Sequence, residues 1–212
     1  MGLKNIQPWS IGSDEERWNG YLLSPDSAVL RNKLNIRDLS DLREAENDLL
    51  ELRVAELRAN PKIIAKTFDL PHLQSIHHYL FQDVYDWAGE LRTVGLARDG
   101  GDSFAPPHSI YLPMEHVHQR IYESAFLVNI PRTELPFEIA YLYDYINFAH
   151  PFREGNGRSQ REFFQQLIEK IGLRMNWALI DSTTLHSACH IARNEGDLKP
   201  LEKIIMLTLH VS

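Results

Sequence analysis

The sequence has a single cysteine and no long apolar run. Cys189 is the only thiol among 212 residues, so an internal disulfide cannot form. No apolar stretch near the N-terminus has the length of a signal peptide or of a membrane-spanning helix. We therefore expect a soluble, cytoplasmic protein without a membrane partner, with delivery into another cell as the alternative that the composition leaves open.

The chain also lacks an excess of positive charge. It has 22 Lys and Arg against 29 Asp and Glu, which gives a formal net charge of -7. Proteins bind the phosphate backbone of nucleic acids through clustered Lys and Arg, so a nucleic acid is not expected as a partner. A local basic cluster can still hold a nucleotide. The length suffices for one substantial core, and no repeat or low-complexity linker divides it.

Hydrophobic spacing predicts a mainly helical fold. In residues 40–60, with Ser40 as the expected N-cap, the apolar positions at helical spacing are Leu42, Ala45, Leu49, Leu52 and Leu57. Similar patterns between helix breakers predict helices over residues 71–85, 113–127, 133–149, 158–171, 183–194 and 198–209. Residues 1–30 show no sustained periodicity and are predicted to form an irregular arm. Residues 31–212 are then one domain.

Glycine and proline interrupt the helical pattern in residues 92–107. The interrupting residues are Gly95, Gly100, Gly101, Pro106 and Pro107. Two short extended segments, near residues 93–94 and 103–105, flank the glycine pair. Extended segments on either side of turn formers predict a small β-hairpin, which we call the flap.

The stretch HPFREGNGRSQR combines residue types that suit phosphate chemistry. Pro151 disfavours the helical conformation at His150, so the preceding helix should stop there with an imidazole at its end. Gly155 and Gly157 flank Asn156. Glycine permits the positive φ angles with which backbone N–H groups converge on an anion. This part of the stretch predicts a base beside an anion site.

The rest of the stretch adds cations and one acid. The following helix points its positive dipole end into the loop, and Arg158 and Arg161 share a face of that helix. Without an anion, two cations there cost about 0.3 to 1 kcal/mol each, and a bound phosphate chain reverses the sign. Glu154 is the one acid in the loop, and a single carboxylate beside phosphates is how proteins commonly hold Mg²⁺.

Each of these residues also has a structural explanation. His150 can cap the carbonyl groups of a helix end, and Arg158 can pair with Glu162 four residues later. Glu154 can simply favour the helix dipole. These explanations leave the Gly-Asn-Gly sequence unaccounted for. A second set with the spacing of metal ligands lacks an evident fourth ligand and is better explained by packing: His186, Cys189 and His190.

The stretch resembles the Fic signature H-x-F-x-[DE]-G-N-G-R-x-x-R at every specified position. Residues 80–92 resemble the segment that leads into the flap of Fic proteins, so the resemblance spans most of residues 30–210. It implies an all-α, mainly helical Fic fold over residues 31–212, with a small β-hairpin flap next to the active-site loop. It also implies a protein adenylyltransferase that moves AMP from Mg-ATP to a Ser, Thr or Tyr hydroxyl of another protein.

The resemblance implies a role for each matched residue. His150 would be the general base, and Glu154 would hold the Mg²⁺ that bridges the α and β phosphates. Asn156, with the backbone amides around Gly155 and Gly157, would form the anion hole.

Further roles follow from the same resemblance. Arg158 and Arg161 would bind the outer phosphates, and Phe152 would anchor the loop in the core. Gly157 favours nucleotidyl transfer, because the relative that phosphorylates has Lys there. The flap residues that would pair with the main chain of the target are Thr93, Val94, Gly95, Leu96, Ser103, Phe104 and Ala105.

The resemblance also bears on partners and control. The chain resembles stand-alone bacterial toxins that modify the ATPase domains of type II topoisomerases, so such a subunit is the expected target. Many Fic proteins carry an inhibitory helix with [ST]-x-x-x-E-[GN]. In this chain, Glu195-Gly196 matches the end of that pattern, but Ile191 stands where Ser or Thr is required. We therefore expect control by a separate small helical antitoxin, with a protein that is unregulated in cis as the alternative. The alternatives are transfer of another nucleotide, removal of AMP, and an inactive Fic-fold binding module.

Overall fold

The computed structural model describes residues 6–97 and 103–211, which form two compact units. Unit 1 comprises residues 6–65, 74–97, 103–107 and 151–155. Unit 2 comprises residues 66–73, 108–150 and 156–211. The regular structure of these residues is eight α-helices, two short 3₁₀ helices and one two-stranded antiparallel sheet, which confirms the predicted mainly helical class. The boundary at residue 30 stays a prediction.

Unit 1 begins with a helix inside the segment that was expected to be irregular. Helix α1, Asp14–Gly20, has only seven residues, too few to show a hydrophobic period. Its start is fixed by a capping box: the Glu16 N–H donates to Ser13 Oγ at 3.2 Å, and the Ser13 N–H donates to Glu16 Oε2 at 2.7 Å. The S-x-x-E pattern is the local signal for this helix.

Helix α2, Leu39–Ala59, ends before Pro61 as predicted but begins earlier than expected. The prediction of Ser40 as its N-cap is wrong. Asp38 caps the helix, because its Oδ1 accepts the N–H groups of Ser40 at 2.7 Å and of Asp41 at 3.1 Å. A carboxylate at this position satisfies two donors that have no partner within the helix.

The core of unit 1 is largely aromatic. Helix α3, Leu70–Phe81, enters it from Gln74 onward. The rings of Tyr85 and Trp87 stack with centroids 4.2 Å apart, and Trp9 donates its indole N–H to Glu90 at 2.8 Å. The aromatic side chains that are at most 2% exposed are Trp9, Tyr21, Phe81, Tyr85, Trp87 and Phe152. Burial of each such side chain contributes about 1.5 to 3 kcal/mol.

Unit 2 is organised around one central helix. Its helices are α4 (Tyr111–Glu123), α5 (Leu135–Ala149), α6 (Asn156–Glu169), α7 (Ser182–Glu195) and α8 (Lys199–Thr208). Helix α5 contacts all four others, which is why it is apolar on several sides rather than along one stripe. Strands β1 (Leu173–Met175) and β2 (Leu209–Val211) pair antiparallel, with Arg174 opposite His210.

Helix α4 stops about four residues before its predicted end. The next residues Ala125, Phe126 and Leu127 have φ angles of 50, 58 and 68°, which is a left-handed turn built without glycine. Such a turn cannot continue a right-handed helix.

No helix among the described residues combines the length and apolar character that crossing a bilayer requires.

Candidate active site

His150 lies at the C-terminal end of α5, in unit 2. The helix ends at Ala149, as predicted from Pro151, and the His150 N–H donates to Ile146 O at 3.1 Å. His150 has φ 40° and ψ 59°, a left-handed conformation that is uncommon for a side chain other than Gly, Asn or Asp. Backbone strain of about 1 to 3 kcal/mol is held at such positions, and they cluster at functional sites. The end of α5 therefore presents an imidazole on a constrained backbone.

Residues 151–155 belong to unit 1, where they are anchored by buried groups. The Arg92 N–H donates to Pro151 O at 2.9 Å, and the fully buried Phe152 ring stacks on His77 with centroids 3.8 Å apart. The Arg153 guanidinium lies over the Trp18 ring at 4.3 Å, and burial lowers the pKa of Arg153. This segment is thus fixed on both sides of Phe152.

Glu154 and Gly155 form the sharpest turn of the segment. Gly155 has φ +81°, and its N–H donates to Glu154 Oε1 at 2.9 Å. A Cβ added to Gly155 would lie 2.5 Å from Phe81 Cε2 and 3.2 Å from His77 Nε2. Both the φ angle and the lack of room therefore require glycine.

The surroundings of Glu154 fit the proposed magnesium ligand. The Glu154 side chain is exposed, and its carboxylate is oriented by the Gly155 N–H. In residues 6–97 and 103–211, no three His, Cys, Asp or Glu side chains are grouped as a metal centre. One carboxylate suits Mg²⁺ when phosphate oxygens and water supply the other ligands. A single carboxylate is therefore compatible with the predicted role of Glu154, which stays a prediction.

Helix α6 begins at Asn156, two residues earlier than predicted. Gly157 is therefore a helical residue, and the expectation that it supplies a positive φ angle is wrong; Gly155 supplies one. A Cβ on Gly157 would lie 3.3 Å from Arg161 Nη1. The glycine at 157 leaves space for the arginine one turn later.

The N-terminus of α6 has the character of an anion site. No acidic residue lies in its first turn, so the positive end of the dipole is not neutralised there. Arg158 and Arg161 are half-buried, and the structure as far as it is described gives Arg161 no hydrogen-bond or ion-pair partner. The helix is held by Gln160, whose Nε2 donates to Tyr143 O at 2.7 Å. Backbone N–H groups and two guanidinium groups are therefore presented from a fixed helix.

The described residues of the flap form an isolated β-bridge rather than regular strands. Ala97 and Ser103 form an antiparallel bridge, and the Phe104 N–H donates to Leu96 O at 3.1 Å. The glycine pair at 100 and 101 lies outside the described residues. Near the base of the flap, the buried Arg92 contacts the segments on both sides of it.

Arg92 is a residue that sequence reasoning did not single out. Its guanidinium donates to Val94 O at 2.7 Å and to Ala105 O, one carbonyl on each side of the flap. Burial lowers the pKa of Arg92 to about 10, so the group remains charged at neutral pH. Arg92 closes the base of the flap.

The predicted docking residues of the flap fall into two sets. Thr93 is tied into unit 1, because its Oγ1 donates to Trp9 O and its N–H donates to Tyr21 OH at 3.2 Å. Val94 and Ala105 are buried. The remaining residues are exposed or half-buried: Gly95, Leu96, Ser103 and Phe104. A Cβ on Gly95 would meet only open space, so this residue lies on the accessible side.

Known proteins resemble the chain in sequence and in structure. The Fic/DOC family matches residues 67–168. "Probable protein adenylyltransferase Fic" of Escherichia coli (strain K12) is 35% identical over 86% of this chain and 88% of the relative. "Protein adenylyltransferase VbhT" of Bartonella schoenbuchensis is 34% identical over 77% of this chain, which corresponds to 34% of that longer protein.

A solved structure extends the likeness to the fold. The N-terminal Fic domain of a VirB-translocated Bep effector protein from Bartonella quintana, with bound ADP, has a TM-score of 0.78 and 25% identity. The match covers 88% of this chain and 93% of that one. These likenesses confirm the predicted family and its helical fold. The chain belongs to the Fic/DOC family.

Proposed function

We propose that the chain is a protein adenylyltransferase that moves AMP from Mg-ATP to a Ser, Thr or Tyr hydroxyl of another protein. The observation that carries the proposal is the complete stretch of residues 150–161, with His150 at a constrained helix end and two arginines at the acid-free start of α6. The names of the relatives from Escherichia coli and Bartonella schoenbuchensis support this activity. The ADP bound to the Bartonella quintana domain supports nucleotide binding.

His150 acts as the general base in this proposal. Its Nδ1 atom is buried, and the proposal therefore assigns the proton transfer to Nε2. The hydroxyl oxygen attacks the α phosphorus and its proton moves to Nε2. A new O–P bond forms, the bond between the α phosphorus and the oxygen that bridges it to the β phosphorus breaks, and pyrophosphate leaves. A positioned base contributes about 10²- to 10⁴-fold to the rate of such a step.

The charge on the departing pyrophosphate is stabilised from α6. Arg158, Arg161 and the first N–H groups of the helix bind the outer phosphates. Glu154 would hold Mg²⁺, which neutralises phosphate charge when bound. Gly155 fixes the backbone that presents the Glu154 carboxylate.

A labelling experiment tests the reaction. We expect that ATP labelled at the α phosphorus transfers its label to a discrete protein band in a cell lysate, and that ATP labelled at the γ phosphorus does not. His150→Ala should reduce the transfer at least about 100-fold. The matched control is His186→Ala, which removes an exposed histidine on α7 and should leave the transfer unchanged.

The same assay separates the alternatives. If label from the α position of GTP, CTP or UTP is transferred in preference to label from ATP, the co-substrate is that other nucleotide. If a modified protein loses AMP and no net transfer occurs, the activity is removal of AMP. An equal, background level of label in wild type and His150→Ala would leave a binding module as the explanation.

We also propose an acceptor and a mode of control, both of which depend on the family resemblance. The first acceptor to test is the ATPase subunit of a type II topoisomerase, incubated with the chain and labelled ATP. Control by a separate helical antitoxin is supported by the absence of an intact inhibitory motif in the sequence and by the unpartnered Arg161 in the described structure. A helical peptide with [ST]-x-x-x-E-[GN] should inhibit the wild-type protein. Activity that appears only after trimming of the chain would contradict separate control.

A further inference from the structure

His77 on α3 is a buried histidine whose two ring nitrogens have different partners. Its Nδ1 accepts the Gly89 N–H at 2.7 Å. Its Nε2 lies 3.0 Å from the backbone oxygen of Glu154. Since Nδ1 uses its lone pair as an acceptor, the proton lies on Nε2 and is donated to Glu154 O. The ring is therefore neutral, with one tautomer selected by the backbone on each side.

Aromatic neighbours fix the plane of this ring. The Phe152 ring stacks on it with centroids 3.8 Å apart and an interplanar angle of 18°. Trp87 and Phe81 contact it with centroids 5.9 Å and 4.8 Å away. His77 is fully buried, so the imidazole has no room to rotate away from its two partners.

The contact with Glu154 O acts on the whole peptide group between Glu154 and Gly155. The carbonyl of that peptide accepts from His77, and its N–H donates to the carboxylate Oε1 of Glu154 at 2.9 Å. Rotation of the peptide would break both hydrogen bonds together. The orientation of the carboxylate thus depends on the histidine through a single rigid group.

We infer that His77 is a positioning residue for the metal-binding carboxylate: by holding the Glu154–Gly155 peptide, it sets the direction in which Glu154 faces a nucleotide-bound Mg²⁺. The inference rests on the proposed function, which makes Glu154 the magnesium ligand. The same imidazole holds Gly89, which precedes the flap, so one ring fixes two backbone segments of unit 1. Partners that orient a metal ligand typically change metal affinity or activity about 10- to 100-fold when removed.

Two substitutions separate the two hydrogen bonds of His77. His77→Gln places an amide N–H near the position of Nε2 and can still donate to Glu154 O. His77→Asn places its amide near Nδ1 and can serve Gly89 only. We expect His77→Asn to raise the Mg²⁺ concentration for half-maximal activity at least about 10-fold, and His77→Gln to raise it less than about 3-fold. Reversible unfolding raises half-saturation only by the reciprocal of the folded fraction, so a circular dichroism spectrum like that of wild type excludes unfolding as the cause of a 10-fold shift.

Binding without turnover provides the second readout. The dissociation constant of Mn²⁺, measured by electron paramagnetic resonance on the protein with a non-hydrolysable ATP analogue, should follow the same order. His78→Asn is the matched control, because His78 is exposed and its Nδ1 contacts Ala88 O at 2.9 Å. ¹⁵N NMR of labelled histidine should show a neutral ring protonated at Nε2, with a signal that is missing in His77→Gln.

The outcomes distinguish this inference from the function on which it rests. If His77→Asn and His77→Gln bind Mn²⁺ alike, or if both match wild type, His77 does not position the carboxylate. If Glu154→Gln also binds Mn²⁺ like wild type, the metal role of Glu154 fails as well. A weakened Glu154→Gln beside an unchanged His77→Asn would reject the positioning role alone.

Discussion

Gly155→Ala is the substitution whose effect the structure specifies most fully. The new methyl group would meet Phe81 Cε2 at 2.5 Å and Cζ at 2.6 Å, well inside van der Waals contact. Phe81 is fully buried, so the ring cannot swing out into solvent. The backbone at this residue has φ +81°, which an alanine rarely adopts.

The expected cost has two parts. Placing alanine in a left-handed conformation costs about 1 to 2 kcal/mol. Inserting a methyl group into a packed core costs about 1 to 3 kcal/mol. The free energy of unfolding should therefore fall by about 2 to 5 kcal/mol, a large fraction of the stability of a typical domain. Activity should fall further, because the same residue orients Glu154.

Urea unfolding of wild type, Gly155→Ala and Gly172→Ala provides the measurement. Gly172 is the matched control, since it has φ +71° but nothing within 4 Å of an added Cβ. Its substitution carries only the backbone cost of about 1 to 2 kcal/mol. If Gly155→Ala were no more destabilising than Gly172→Ala, crowding against Phe81 would be refuted as the reason for glycine in the loop.

Three further predictions concern separate groups. Burial lowers the pKa of His72 to about 4, from 6.5 when exposed, so the folded state disfavours its protonation. The contribution of His72 to the free energy of unfolding should be fully present above pH 6.5, and up to about 3 kcal/mol should be lost as the pH drops toward 4. Urea titrations at several pH values should find a weaker pH dependence in His72→Gln. Arg92→Gln leaves at least one buried flap carbonyl without its charged donor and should lower the free energy of unfolding by about 2 to 4 kcal/mol and raise the KM for the protein substrate. Gly157→Ala should leave the free energy of unfolding unchanged or raise it by up to about 1 kcal/mol, because alanine favours the helix. The added methyl group should displace Arg161 and raise the KM for ATP. An unchanged KM would contradict the idea that Gly157 leaves space for Arg161.

The sequence predicted the helices well where a hydrophobic period ran between breakers. Helix α5 ends at Ala149 as expected, because Pro151 restricts the residue before it. The end of α4 was missed because its left-handed turn contains Ala125 and its two successors, none of which is a turn former by residue type. Local sequence signals cannot report a conformation that tertiary packing imposes.

Helix α2 shows how buried polar residues mislead a hydrophobic pattern. Leu52, one of the apolar positions at helical spacing, is 54% exposed, whereas Glu46 is only 6% exposed. The Glu46 carboxylate accepts from the Tyr85 hydroxyl, and Arg53 forms two hydrogen bonds with Asp83 at 2.7 and 2.9 Å. The face of the helix that packs is therefore partly polar, with partners that lie far away in the sequence.

The candidate site was easier to predict than its supports. Its residues are consecutive, so the composition of one stretch was enough to suggest a base, an acid and a phosphate site. His77 and Arg92 act through backbone groups at distant positions, such as Glu154 and Ala105. Hydrogen bonds to main-chain atoms leave no complementary side chain in the sequence, so no pairing rule could have found them.

The two glycines of the motif illustrate what a consensus pattern leaves out. Gly155 is required by its positive φ angle and by the ring of Phe81 against its α carbon, so it shapes the backbone. Gly157 has ordinary helical geometry, and its missing side chain gives space to the guanidinium of Arg161. One glycine thus determines where the carboxylate of Glu154 points, and the other determines where a cation can lie. A substitution at 155 should weaken folding and, if Glu154 holds the metal, metal binding as well, whereas one at 157 should weaken nucleotide binding without destabilising the fold.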